Sequence, residues 1–222
     1  MGKENLFHRK KARAKEIRRS KAVRASYAKV LIVCEGKKTE KNYFEEIKAY
    51  YELNSTNIEI NTDCGSAPIS VAEHAISLYK KEIQMQKDPF DKVYCVFDRD
   101  THTTFHQALN LIGSQSPKSV FKAITSTPCF EYWFLLHFGY TQQPFRGTAR
   151  KSAAEQLEDH LRRTYWPEYK KNLSNTFAER FLELPQAKIW AGQILNSSLS
   201  TGIVDPLTNV HELVDFLQNI KK

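Results

Sequence analysis

Two short apolar runs in this chain end in acids. Lys29–Cys34 (KVLIVC) is followed by Glu35 and Gly36, and Lys92–Phe97 (KVYCVF) by Asp98, Arg99 and Asp100. Ligands of open α/β sheets bind at the carboxyl ends of the strands. If the two runs are neighbouring strands, Glu35, Asp98 and Asp100 converge there. Carboxylates at short range raise one another's proton affinity. A hard divalent cation, Mg²⁺ or Mn²⁺, removes that conflict, because carboxylates and substrate phosphates are its usual ligands. Such a metal lowers the pKa of a bound water and stabilises charge on a phosphoryl oxygen. Each signal alone has an ordinary reading. An Asp-x-Asp after a strand serves turns and helix caps, and Glu-Gly is a common loop. The joint placement favours a metal site with Glu35, Asp98 and Asp100 as catalytic and metal-binding residues.

Further side chains stand near this pattern. Lys37 and Lys38, just past Glu35, are placed to neutralise phosphates, or simply belong to a solvated loop. Glu131 reads equally as a fourth carboxylate and as a first-turn acid favoured by the helix dipole. His137 sits on an apolar segment and reads as a hydrogen-bonded core histidine. His102 and His106 are four apart and read as a polar helix face rather than a second metal site. Lys118, Lys122, Lys170 and Lys171 are candidates to stabilise transition-state charge, but their facing is not legible in the sequence. The four cysteines, Cys34, Cys64, Cys95 and Cys129, have no close pairing. That argues against zinc and for small buried hydrophobes.

The elements that must position these residues are set by periodicity. Apolar runs at 29–34, 92–97 and 119–125, with a weaker alternation at 57–62, predict four strands. Thr39 is placed to cap a helix whose buried stripe is Tyr43, Phe44 and Ile47, and Pro68 suits the start of another whose stripe is Val71, Ala75, Leu78 and Tyr79. A helix near 102–112 is expected before the fourth strand. Strands alternating with helices imply right-handed βαβ units and a central parallel sheet. The segment 128–138 (PCFEYWFLLHF) is apolar on every side and predicts a buried helix opening on Pro128. Helical patterns come next near 151–163, 176–196 and 208–220, with Asn209 and Glu212 as a cap for the last. The expected layout is a basic tail over 1–28, an α/β core over 29–138 and a mainly helical extension over 139–222.

Charge is unevenly spread over the 222 residues, whose net charge is +8. Residues 1–29 hold 11 Lys/Arg against two acids, and the rest of the chain holds 22 against 23. A basic tail on a near-neutral body suggests a polyanion, most simply nucleic acid, with Arg9, Lys10, Lys11, Arg13, Arg18 and Arg19 as contacts. The stretch 8–24 has only a weak apolar face (Ile17, Val23), which disfavours membrane binding. No apolar run approaches the roughly 18–20 residues of a membrane span. No apolar segment comes after the basic N-terminus as in a secretory signal, so a cytoplasmic location is expected.

Three stretches, 32-IVCEGKKTEKNYF-44, 93-VYCVFDRD-100 and 127-TPCFEYWFLLHF-138, resemble the RloB family. The resemblance spans about 30–138. It implies a core similar to the Toprim fold of topoisomerases, primases and overcoming-lysogenization-defect nucleases. It also implies a link to bacterial restriction-modification and phage-defence loci, and an ABC-type ATPase encoded nearby as partner. In Toprim proteins a Glu after the first strand and an Asp-x-Asp after the third bind Mg²⁺, roles that fall here on Glu35, Asp98 and Asp100.

The leading functional expectation is a Mg²⁺- or Mn²⁺-dependent nuclease in which water attacks the phosphorus of DNA or RNA. A second is a catalytically inert nucleic-acid- or partner-binding module. A third is a phosphatase of the haloacid-dehalogenase type, since Phe97-Asp98-Arg99-Asp100-Thr101 resembles that superfamily's first motif. Its position after the third strand, and the lack of a later acidic pair, count against it.

Overall fold

The structure is a computed structural model that describes residues 27–99 and 102–222. In chain order, β1 (Val30–Cys34), α1 (Thr39–Tyr50), β2 (Ile58–Asn61), α2 (Pro68–Gln84), β3 (Lys92–Asp98), α3 (Phe105–Gly113) and β4 (Phe121–Thr127) form alternating βα units. Then come α4 (Glu131–Leu135), α5 (Ala153–His160), a π turn at Leu161–Tyr165, α6 (Thr176–Glu179), α7 (Leu184–Thr201), β5 (Leu207–Thr208) and α8 (Val210–Asn219). The sheet order is β2-β1-β3-β4-β5. The first three pairings are parallel, with Cys34 opposite Val96 and Asp98 opposite Ser126, and β5 runs antiparallel to β4. This is the expected α/β class, with β1 and β3 adjacent, a fifth strand added and a helix at the C-terminus.

The continuous apolar runs reflect burial on both faces. Val30, Ile32, Tyr94, Val96 and Ile124 point into a core built with α1, α4, α5, α7 and α8. Leu31, Val33, Val93, Cys95 and Phe97 point into a second core under α2 and α3. The first core is rich in aromatics. Trp133 is fully buried and its indole Nε1 donates to the Tyr43 hydroxyl at 2.8 Å. Cys34, Cys95 and Cys129 are buried, Cys64 is half-buried, and all four are free thiols.

Several local expectations need correction. The segment 128–138 is helical only over Glu131–Leu135, and Pro128, joined to Thr127 by a cis peptide, lies outside that helix. Thr127 still belongs to β4, so residues 128–130 are spent on the turn. The pattern over 176–196 is two helices, because Pro185, which cannot supply a hydrogen bond in a helix interior, starts a new one. Helix α5 ends at His160 and passes into a π turn. Thr39 caps nothing; it is the first helical residue, and its hydroxyl donates to the Lys171 carbonyl at 2.9 Å. Asn209 does not cap α8 with its side chain. Its Oδ1 accepts from Thr125 N at 2.7 Å while its Nδ2 donates to the Ala123 carbonyl and to Glu212, which ties the start of α8 to β4. Among the described residues, no helix is long and apolar enough to cross a membrane.

Candidate functional site

The strand ends bring the first acids together. Glu35 comes directly after β1, and its backbone N–H still donates to the Val96 carbonyl at 2.9 Å, so it stays in register with β3. Its Oε2 accepts from the backbone N–H of Asp98 at 3.2 Å. Its Oε1 lies 3.2 Å from the His102 Nε2. Asp98 is the last residue of β3, and it shares its cleft with Phe130 and Glu131 from the turn and helix after β4.

Two more carboxylates enter from helices. Glu131 opens α4, is buried, and accepts from the Tyr169 hydroxyl at 2.6 Å. Glu40, the second residue of α1, is also buried and folds back over Gly36. A β-carbon on Gly36 would collide with the Glu40 Oε2, so glycine is required if the carboxylate is to lie there. Glu35, Glu40, Asp98 and Glu131 line one cleft of about 370 Å³, with Lys37, Lys38 and Lys171 at its walls.

Burial dominates the electrostatics. Desolvation, together with the charges of Glu40, Glu131 and Glu35, holds the Asp98 carboxyl well above the usual carboxylate range. Desolvation, reinforced by Glu131 and Glu35, raises Glu40 from 4.5 to about 7. Four carboxylates thus share the cleft with three lysines, and a cation bound among the acids would favour the ionisation that burial opposes at Asp98 and Glu40.

Behind Glu131, the Cys129 thiol, Glu131 and Glu158 offer ligand atoms within 4.8 Å of one another, a group that could hold a metal ion. Lys171 lies against this group: its Nζ is 2.6 Å from Glu158, and although desolvation lowers its proton affinity, the hydrogen bond to Glu158 and the charges of Glu131 and Glu158 outweigh that effect and raise it.

The remaining sequence candidates separate clearly. Asp100 lies outside the described residues, as do Arg9, Lys10, Lys11, Arg13, Arg18 and Arg19. Lys37 and Lys38 are exposed at the mouth of the cleft. His102 and His106 do not share a helix face, since His102 precedes α3 and reaches Glu35, while the His106 ring packs edge-on against Phe105. His137 is a core residue; its Nδ1 lies 2.9 Å from the Trp133 carbonyl, and burial pushes its pKa down to about 4. Lys122 pairs with Glu212 at 3.2 Å, outside the cleft. Lys118 and Lys170 do not line the cleft either.

Of the four lysines whose facing the sequence left open, Lys171 alone lines the cleft, whereas Glu40 and Tyr169 as site components were not anticipated. For Glu40 a signal existed. It falls three, four and seven residues before Tyr43, Phe44 and Ile47, so it lies on the inward stripe of α1, where an acid is out of place unless it has a task. Nothing in the sequence pointed Tyr169 at Glu131.

The family model described as RloB-like protein matches residues 30–217. No curated protein and no solved structure matches the chain.

Proposed function

The chain belongs to the RloB-like protein family, and on that premise we propose that its carboxylate cleft binds Mg²⁺ or Mn²⁺ and hydrolyses phosphodiester bonds of DNA or RNA. One observation carries this reading: four carboxylates from separate elements line one small cleft, and burial keeps Asp98 and Glu40 from ionising freely. Structure alone gives no reason to bury Asp98 and Glu40 where neighbouring acids oppose their ionisation. A divalent cation gives one, and an all-oxygen donor set suits a hard ion.

Glu35 and Asp98 would hold the ion, with Glu40 and Glu131 completing its surroundings. Asp100, as the second acid of the Asp-x-Asp pattern, belongs to the same proposal. When bound, the ion supplies a polarised water and charge stabilisation at the phosphoryl oxygen. His102 beside Glu35 and Tyr169 on Glu131 orient these carboxylates. Lys37, Lys38 and Lys171 offset the charge of an entering phosphate at the cleft walls. The basic segment 1–28 would add sequence-independent affinity for the polyanion. A role in bacterial antiviral defence, with a Toprim-like core and an ABC-type ATPase as partner, belongs to the same proposal.

The test is Mn²⁺ titration by calorimetry on wild type and Asp98→Asn, together with cleavage of DNA, total RNA and tRNA in Mg²⁺. The variant should lose metal heat and cleavage while melting no lower in chelator, because a buried like charge has been removed. Equal metal heats in both proteins would refute the shared site. Metal binding by the wild type without cleavage of any substrate would leave a nucleic-acid- or partner-binding module.

A further inference from the structure

A second, cationic cleft of about 660 Å³ adjoins the acidic one. Asp98 lines the first and Arg99, the next residue, lines the second, so the two meet at the end of β3. The second cleft draws its cations from separate segments: Arg99 after β3, and Arg146 and Lys151 from the loop before α5. Asp205 is the single acid among its described lining residues.

The loop is built rather than loose. Thr148 Oγ1 accepts from the backbone N–H groups of Arg150 and Lys151, and Thr148 N donates to the Lys151 carbonyl at 2.7 Å. Ser152 and Glu155 then close a reciprocal cap on α5. The backbone carrying Lys151 is thereby fixed at the rim, with Arg146 two residues before Thr148, and the positive end of α5 faces the same cleft through Ser152 and Ala153. Arg146 has no ion-pair partner among the described residues. Lys151 pairs with Asp159, but Asp159 also takes Arg162 at 2.6 Å and Arg163 at 3.9 Å, so one acid is spread over three cations. The body beyond the first 29 residues is otherwise near neutral. The cleft's volume falls within the roughly 300–1,000 Å³ of sites that take a small organic ligand.

We propose that this cleft is the binding track for the phosphates flanking the bond to be cut, so that a single nucleic-acid strand passes from the acidic cleft over Arg99 onto Arg146 and Lys151. The inference rests on the nuclease reading for the direction of the strand, but the phosphate contacts stand or fall separately. Acid-rich metal sites repel a polyanion, and a neighbouring cationic track supplies the attraction that brings the strand in.

The experiment uses the full chain and a fluorescein-labelled single-stranded oligonucleotide. Anisotropy in chelator at several salt concentrations gives the slope of log Kd against log salt. Arg146→Gln with Lys151→Gln should reduce that slope by about 1.4, at about 0.7 for each single-strand phosphate contact. Lys80→Gln with Lys81→Gln, exposed on α2 against the opposite face of the sheet, should leave it unchanged. An unchanged slope in the loop variant overturns the proposal, and so does an equal reduction in both variants. If the double loop variant melts early, Arg146→Gln alone serves, with an expected reduction of about 0.7. Mn²⁺ titration of the same proteins separates the two readings. A wild type without metal heat sinks the acidic-site proposal, whereas the slope change still establishes the track.

Discussion

Replacing Glu40 by Gln gives the sharpest test of the buried charge in the cleft. Glu40 is 6 % exposed and its pKa is raised from 4.5 to about 7, first by desolvation and then by Glu131 and Glu35. Between those values the folded chain holds a proton that the unfolded chain has released. Stability therefore falls as pH rises from about 4.5 toward 7, and levels off above it. At roughly 1.4 kcal/mol for each tenfold change in proton affinity, ionised Glu40 costs about 3 kcal/mol. The uncharged amide of the variant carries no such penalty, and its own packing defects are independent of pH. The stability difference between Glu40→Gln and wild type should thus grow in the variant's favour by about 3 kcal/mol across that window, or roughly 6–12 °C in Tm for a domain of this size. The assay is urea unfolding and thermal melting in chelator from pH 4 to 8. Divalent cation should then raise the wild-type melting temperature more than the variant's at pH 8, because the ion removes the penalty that the mutation has already abolished. A difference that stays flat from pH 4 to 8 would refute the claim that Glu40 is destabilised by burial.

Two further outcomes are expected from the same packing. Gly36→Ala should expel the Glu40 carboxyl, since the new methyl would occupy the place of its Oε2; the fold should persist while calorimetry shows weaker Mn²⁺ binding. Trp133→Ala should cost about 3–5 kcal/mol in urea unfolding from the lost ring and its cavity. Trp133→Phe should cost less, mainly through the Tyr43 hydroxyl that then loses its indole donor.

The sequence was most informative where structure is local. Short runs such as KVLIVC and KVYCVF read as strands covered on both faces, and the stripe of Tyr43, Phe44 and Ile47 as a helix laid on a core, and both readings hold. Boundaries were harder wherever a backbone group had a distant partner. The segment 128–138 is apolar enough for a long helix, yet pairing holds the chain in β4 as far as Thr127 and delays the start of α4 to Glu131. The two residues of β5 carry no pattern at all, because their strand character comes from pairing with Ser126 and Thr127.

The same division runs through the site. By itself the sequence determined that acids stand at the ends of two apolar strands, because side-chain type and position along a strand are properties of a short window. Tertiary structure alone decided that β1 and β3 lie side by side and that Glu131 and Glu40 swing in from two helices. It alone set Tyr169 and Lys171, from a segment far along the chain, against them. The proton affinities of Asp98 and Glu40 belong to that second class too. Desolvation is a sum over every neighbour that excludes water, and those neighbours are gathered from the whole chain only when it folds.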